Sequence, residues 1–204
     1  MTAVARIAVL HLRTVAPYRT QGLLVFGLLV LILARNPDHV VPALVVLLAP
    51  LIAVQPFVVA DKADLGTLYA VLPVPRRTVL LGHYAWALES FLATALAGTA
   101  ASALLARAEG LPFGGRDLVT MVTLSWALFA LNIAIQLPLL IRFGYARISV
   151  LGTTMPLALV LLAVYRLHLT ITSIESWLPL LWAAGAAALA TSALLAAHTS
   201  RPHG

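Results

Sequence analysis

Residues 60–84 read ADKADLGTLYAVLPVPRRTVLLGHY and form the longest polar interruption between two apolar runs. The stretch holds the chain's single lysine, Lys62, two of its seven acidic residues, Asp61 and Asp64, and the pair Arg76 and Arg77. Pro73 and Pro75 close it before the next apolar run. On both sides the sequence is almost entirely Leu, Ala and Val. The polar break therefore decides how the apolar segments are counted and which way they run.

Within the stretch, Asp61 is a favourable helix N-cap. Leu65, Leu68, Tyr69 and Leu72 follow the i, i+3, i+4, i+7 pattern, which gives a helix of about three turns one apolar stripe. Lys62, Asp64 and Thr67 fall mostly on the other side. Pro73 stops the helix, because the residue before a proline is pushed out of the helical region. Two readings stay open. The helix lies on lipid as a plain loop element, or it presents its stripe to a cytoplasmic partner and carries motion into the two spans it joins.

Composition sets the wider class. The 204 residues are 62% hydrophobic and 10% charged, with a mean hydropathy of +1.01. A soluble domain is about 45–50% apolar and about 25% charged. One soluble core cannot hide this excess, so the sequence predicts an integral membrane protein. The net charge of +6 marks cytoplasmic loops rather than a nucleic-acid surface, since no basic patch with interleaved aromatics occurs. The absence of cysteine excludes disulfides, iron–sulfur clusters and thiol catalysis. Arginine supplies nearly all the basic residues, and Ala and Leu dominate. That composition points to a GC-rich bacterial genome and hence to a bacterial plasma membrane.

Six transmembrane helices are expected, at about 17–34, 40–60, 79–106, 118–141, 148–165 and 177–197, in a single all-α domain covering 1–204. Residues 2–16 make a short interfacial helix or a charged leader. Arg6, Arg13 and Arg19 interrupt any signal-peptide core. Pro42, Pro50 and Pro56 should kink or open the second span, and Pro156 the fifth. The third span has no proline, and its small residues Ala93, Ala97, Gly98 and Ala101 permit close helix contact. With the N-terminus inside, the inner segments hold Arg6, Arg13, Arg19, Lys62, Arg76, Arg77, Arg142, Arg147 and Arg201. The outer loops hold Arg35, Arg107, Arg116 and Arg166, offset by Asp38, Glu109, Asp117 and Glu175. This asymmetry predicts both termini inside and makes the opening stretch the first cytoplasmic loop.

At this point the sequence resembles a family. An acidic residue ending one span, then GTLYAVLPVPRRTVLLGHY, is similar to the permease subunits of ABC type-2 exporters. Asp61, Gly66, Leu72, Pro73, Val74, Arg76 and Arg77 carry the match. Gly82, His83 and Tyr84 stand where Gly-Lys-Tyr is common, so His83 is a departure. The resemblance implies that 61–72 is a coupling helix docking on a separate ABC ATPase (nucleotide-binding) subunit. It also implies a second permease protomer, identical or sister, and a path lined by the second and fifth spans. Asp61, Asp64, Leu65, Leu68, Tyr69, Leu72, Pro73, Arg76 and Arg77 are then the coupling residues. A P-loop needs lysine followed by Ser or Thr. Lys62 lies between Asp61 and Ala63, so ATP and Mg would be bound by the partner and no cofactor by this chain.

Polar residues inside the spans are the candidates for a substrate path. Glu89 is a carboxylate in the third span, a costly placement that suggests function, although it lies only a turn or two beyond His83, toward the interface. Gln55 precedes Pro56, which frees a nearby carbonyl, while Asn132 and Gln136 invite bonds across helices. The histidines form no metal-ligand pair with a glutamate, and no Gly-x-Ser-x-Gly elbow occurs, so neither a metal site nor a catalytic residue is expected. Trp86, Trp177 and Trp182, with Tyr18, Tyr84, Tyr145 and Tyr165, suit aromatic belts, and Trp126 packing. The expected function is a permease subunit moving an amphipathic, lipid, peptide or drug-like substrate. The alternatives are an ion-coupled secondary transporter using Glu89 and a non-transporting assembly or immunity subunit.

Overall fold

The computed structural model describes residues 13, 19–33, 40–63, 75–111, 114–145, 158 and 175–199. The regular elements among those residues are helices, with no strand among them. We number the helices α1 (Arg19–Ile32), α2 (Val40–Lys62), α3 (Arg76–Glu109), α4 (Gly115–Phe143) and α5 (Leu178–Thr199), the last preceded by a 3-10 turn at Glu175–Trp177. Among the described residues, four helices are long and apolar enough to cross a membrane: Val40–Lys62, Arg77–Glu109, Gly115–Phe143 and Leu178–His198. They match the expected second, third, fourth and sixth spans; the first three of these are a few residues longer than expected, and the last has the expected length shifted by one residue. The first expected span appears as the 14-residue α1, about 21 Å long against a hydrocarbon core of about 30 Å. The fifth, 148–165, lies outside the described residues except for Ala158, as does the interfacial segment 2–16 except for Arg13.

Each helix end follows from local chemistry. Pro75 stands just before α3 with ψ 132°, and its carbonyl accepts Thr78 N–H at 2.8 Å. At the far end Gly110 takes φ 66°, a left-handed conformation that suits glycine, and Leu111 N–H returns to the Ala106 carbonyl at 2.9 Å. Gly144 ends α4 at φ 77°.

Helix α2 is where the sequence predicts a break, and the break is specific. Pro50 has no N–H to offer the Val46 carbonyl, and in a regular helix its ring would meet that carbonyl. Just ahead of it, Leu44–Leu48 widen into a π-helical turn, with Ala49 N–H donating to the Leu44 carbonyl five residues back. The turn is deeply buried. Val40, Val41, Leu44 and Val45 are inaccessible, and Phe26, Leu29, Val30 and Leu33, from α1 and the residue after it, pack on Val40, Leu44 and Leu48. The other side of α1 exposes Leu23, Leu24, Leu28 and Leu31, an apolar surface suited to lipid.

Helix α4 is the centre of the bundle. Trp126, Phe129, Ala130, Ile133, Leu137 and Leu140 form a buried stripe at helical spacing. Phe91 of α3 packs its ring 5.1 Å from Trp126 and 5.2 Å from Phe129. Trp182 of α5 stacks on Trp126 at 5.0 Å. Contact pairs fix the directions. Residues 57, 52, 49 and 41 of α2 meet 83, 86, 90 and 98 of α3, so these two are antiparallel. Residues 123, 126 and 134 of α4 meet 182, 185 and 192 of α5, so these two run parallel. The ends bearing Lys62, Arg77, Arg142 and His198 therefore gather at one end of the bundle.

Two close approaches depend on glycine. A Cβ on Gly98 would sit 3.3 Å from both the Val41 Cα and Leu44 Cδ1, and one on Gly185 only 2.6 Å from Trp126 Nε1. Gly98 thus serves close contact as expected. Ala93 and Ala97, expected to do the same, face outward, and Ala101 is half-buried. Residues 93 and 97 are one turn apart on the side of α3 away from α2 and α4.

Candidate functional site

Polar bonds join neighbouring helices at the proline sites of α2 and α4. In a helix, the N–H of residue 56 would close on the carbonyl of Ile52. Pro56 has none, so that carbonyl is left open inside the bundle. The indole of Trp86 on α3 donates to it at 3.1 Å. One turn on, Ser90 Oγ lies 3.2 Å from the Ala49 carbonyl and 2.7 Å from the Ala87 carbonyl.

The same arrangement recurs between α4 and α5. Pro138 lies inside α4 and leaves the Ala134 carbonyl without its helical donor. Ser192 Oγ donates to that carbonyl at 2.8 Å. Because the Ser192 proton is so used, Tyr84 O–H is the donor in the 2.7 Å bond to Ser192 Oγ. The chain Tyr84–Ser192–Ala134 therefore joins α3, α5 and α4. Two further indole bonds tie α4 to α5: Trp126 Nε1 to the Trp182 carbonyl at 3.2 Å, and Trp182 Nε1 to Thr123 Oγ1 at 2.9 Å.

These bonds correct the aromatic-belt expectation for Trp86, Tyr84 and Trp182. Trp86 and Tyr84 are 4% and 7% exposed, and Trp182 is half-exposed but bonded and stacked within the bundle. An indole or phenol has a donor to place, and an open carbonyl inside lipid is a stronger demand than the headgroup boundary. Trp177 is exposed at the start of the last helix, as a belt residue would be. Trp126 packs in the core as expected. His83, the departure from the Gly-Lys-Tyr pattern, lies buried in α3 with its ring stacked on Phe57 at 4.3 Å. A flat imidazole makes that contact, whereas a lysine at the same place would have to extend toward water.

The candidate path residues separate. Asn132 and Gln136 lie one turn apart on α4, each 1% exposed. Their oxygens Oδ1 and Oε1 are buried with no hydrogen-bond donor among the described residues. Gln55 is half-buried on α2. Glu89 is exposed and faces away from the Trp86 and Ser90 bonds that flank it in sequence. It lies about 20 Å along α3 from the helix start, since each residue rises about 1.5 Å. It is therefore well along the helix.

Of the coupling residues, Asp61 is exposed in the last turn of α2 and Arg77 is exposed in the first turn of α3. Arg76 opens α3, and its side chain lies outside the described residues. Asp64, Leu65, Leu68, Tyr69, Leu72 and Pro73 also lie outside them. No group of three or more potential metal ligands occurs among the described residues.

A family model described as ABC-2 family transporter protein matches residues 14–199. The chain belongs to that family. The match spans every described helix, including the α2–α3 pair on either side of the polar stretch. No curated protein and no solved structure matches the chain. As an ABC-2 permease it is a multi-pass membrane transport component, of a family that works with ABC ATPase subunits.

The residues that sequence reading missed are Trp86, Tyr84 and Ser192. One signal was present: Pro56 and Pro138 each announce an open carbonyl four residues earlier. Which donor answers it depends on the helix opposite.

Proposed function

We propose that this permease is the membrane subunit of an ATP-driven exporter, moving an amphipathic, lipid, peptide or drug-like substrate across the bacterial plasma membrane. It would act with a second permease protomer and with separate ATPase subunits that bind ATP and Mg. The observation that carries this reading is the family match over residues 14–199, joined to a sequence with no P-loop of its own. No residue here performs covalent chemistry. The work is to hold six spans, the single domain 1–204, in two arrangements.

Charge at the helix ends supports the proposed orientation. Among the described residues, the end holding Lys62, Arg76, Arg77 and Arg142 also holds one acid, Asp61. At the other end Arg107 and Arg116 are balanced by Glu109 and Asp117. A basic end facing the cytoplasm follows the positive-inside rule. The parallel packing of α4 and α5 supports six crossings, because the chain between Tyr145 and Glu175 has to return to the far end.

On this reading, residues 61–72 receive the push of ATPase closure. Their flanks are firmly set: α2 is held to α3 by the Trp86 and Ser90 bonds, so force on the loop reaches both helices together. The test is a pull-down of the ATPase with Leu68→Glu and Tyr69→Lys introduced together. Loss of the ATPase with unchanged membrane insertion is expected. Full retention would remove the coupling-helix assignment.

A further inference from the structure

A groove of about 520 Å³ runs between the start of α3 and the end of α5. Its volume is within the range of small-molecule sites, about 300–1,000 Å³. Leu80, Leu81, Ala193 and Leu194 line its length, and Arg77 and His198 stand at its rim. The groove exists because α5 faces α3 with alanines at 190, 193 and 197, whose single carbons leave a trough beside Leu80 and Leu81. No carboxylate lines it among the described residues. Arg77 is exposed in the first turn of α3, where the helix dipole adds positive potential.

We propose that this groove holds one anionic phospholipid, its phosphate at Arg77 and His198 and an acyl chain along the alanine trough. The leaflet, the cytoplasmic one, rests on the orientation proposed above. Two features favour lipid over a docking protein. Among the described residues the charge is confined to the rim, and the lining below it is apolar. From His198 to Ala190 the trough descends about 12 Å along α5 at about 1.5 Å per residue. That carries it below the headgroups, where an acyl chain reaches and a protein docked at the surface does not. Basic groups between helices on the cytoplasmic side suit anionic headgroups.

The test is native mass spectrometry on the full-length permease, stripped of lipid in detergent and titrated with phosphatidylglycerol or phosphatidylcholine. The wild type should retain one phosphatidylglycerol in preference to phosphatidylcholine. Arg77→Gln with His198→Asn should weaken that retention about tenfold and leave phosphatidylcholine unchanged. Ala193→Phe keeps both basic groups but fills the trough, and it should expel the same lipid. Equal retention of the two lipids by the wild type, or unchanged phosphatidylglycerol retention in Ala193→Phe, would overturn the proposal. A photo-crosslinker at Leu194 in the membrane should label lipid; labelling of the ATPase or of the chain itself would also overturn it. Orientation is read separately from reporter fusions at the loops, so a wrong leaflet and an absent lipid site give different results.

Discussion

Helices α2 and α3 are antiparallel neighbours, yet they solve opposite problems. Helix α2 contains Pro42, Pro50 and Pro56 and a π-turn, and more than half of its most apolar stretch is buried. Helix α3 runs 34 residues without a proline, and only a third of its most apolar stretch is buried. Its outer side carries Leu88, Leu92, Leu96 and Leu104, with Glu89 among them. The broken helix sits inside, where neighbours can answer its open carbonyls. The regular helix sits outside and supplies the donors. In a bilayer an unanswered carbonyl costs several kcal/mol, so irregular backbone is placed where a partner helix can reach it.

The largest expected effect comes from forcing the two helices apart. Gly98→Leu pushes against the Val41 backbone as well as Leu44, and overpacking of this kind costs about 3 kcal/mol. Ala97→Leu, one residue away on the open side, should change stability by less than about 0.5 kcal/mol. Thermal denaturation of the two purified variants in the same detergent makes the comparison, and equal losses would deny that α3 has a buried and an open side there.

Next in size is the carbonyl bond itself. Trp86→Phe keeps most of the ring but removes the donor to Ile52, and should cost about 1.5 kcal/mol. In a Pro56→Ala background the residue 56 N–H can satisfy Ile52, so the cost of Trp86→Phe should fall by about 1 kcal/mol. An unchanged cost would show that the indole serves packing alone. A parallel cycle with Ser192→Ala and Pro138→Ala should show a smaller coupling of about 0.6 kcal/mol, in line with bonds between membrane helices.

The smallest effect is expected at Glu89. Glu89→Gln should leave stability within about 0.5 kcal/mol and preserve ATP-driven transport in vesicles containing the ATPase. Loss of an ATP-independent, proton-driven flux in that variant would instead favour the ion-coupled reading.

Much of the fold was legible in the sequence. Arg and Asp cannot stay in hydrocarbon without cost, so charged residues marked the ends of the described spans to within a few residues. Pro42, Pro50 and Pro56 announced an irregular second span. The site was less legible. Asn132 and Gln136 were recognised as polar groups in the fourth span, but nothing in their spacing told that both would be fully buried. Trp86 resembled a belt residue because it lies only ten residues into its helix. Ala93 and Ala97 resembled packing residues because they are small, although they are exposed while Gly98 is buried against Val41 and Leu44.

The sequence alone determined the membrane class and the place of the polar stretch at 60–84. It could do so because water and hydrocarbon differ enough for single charges to report the boundary. Only the tertiary structure decided which side of α3 is buried, which donor answers Ile52 and Ala134, and where the alanines of α5 leave a groove. In a soluble helix the alternation of polar and apolar residues gives the buried side away. In lipid both sides are apolar, so that signal is absent, and the side facing inward is set by glycine contacts and a few hydrogen bonds between residues far apart in the chain.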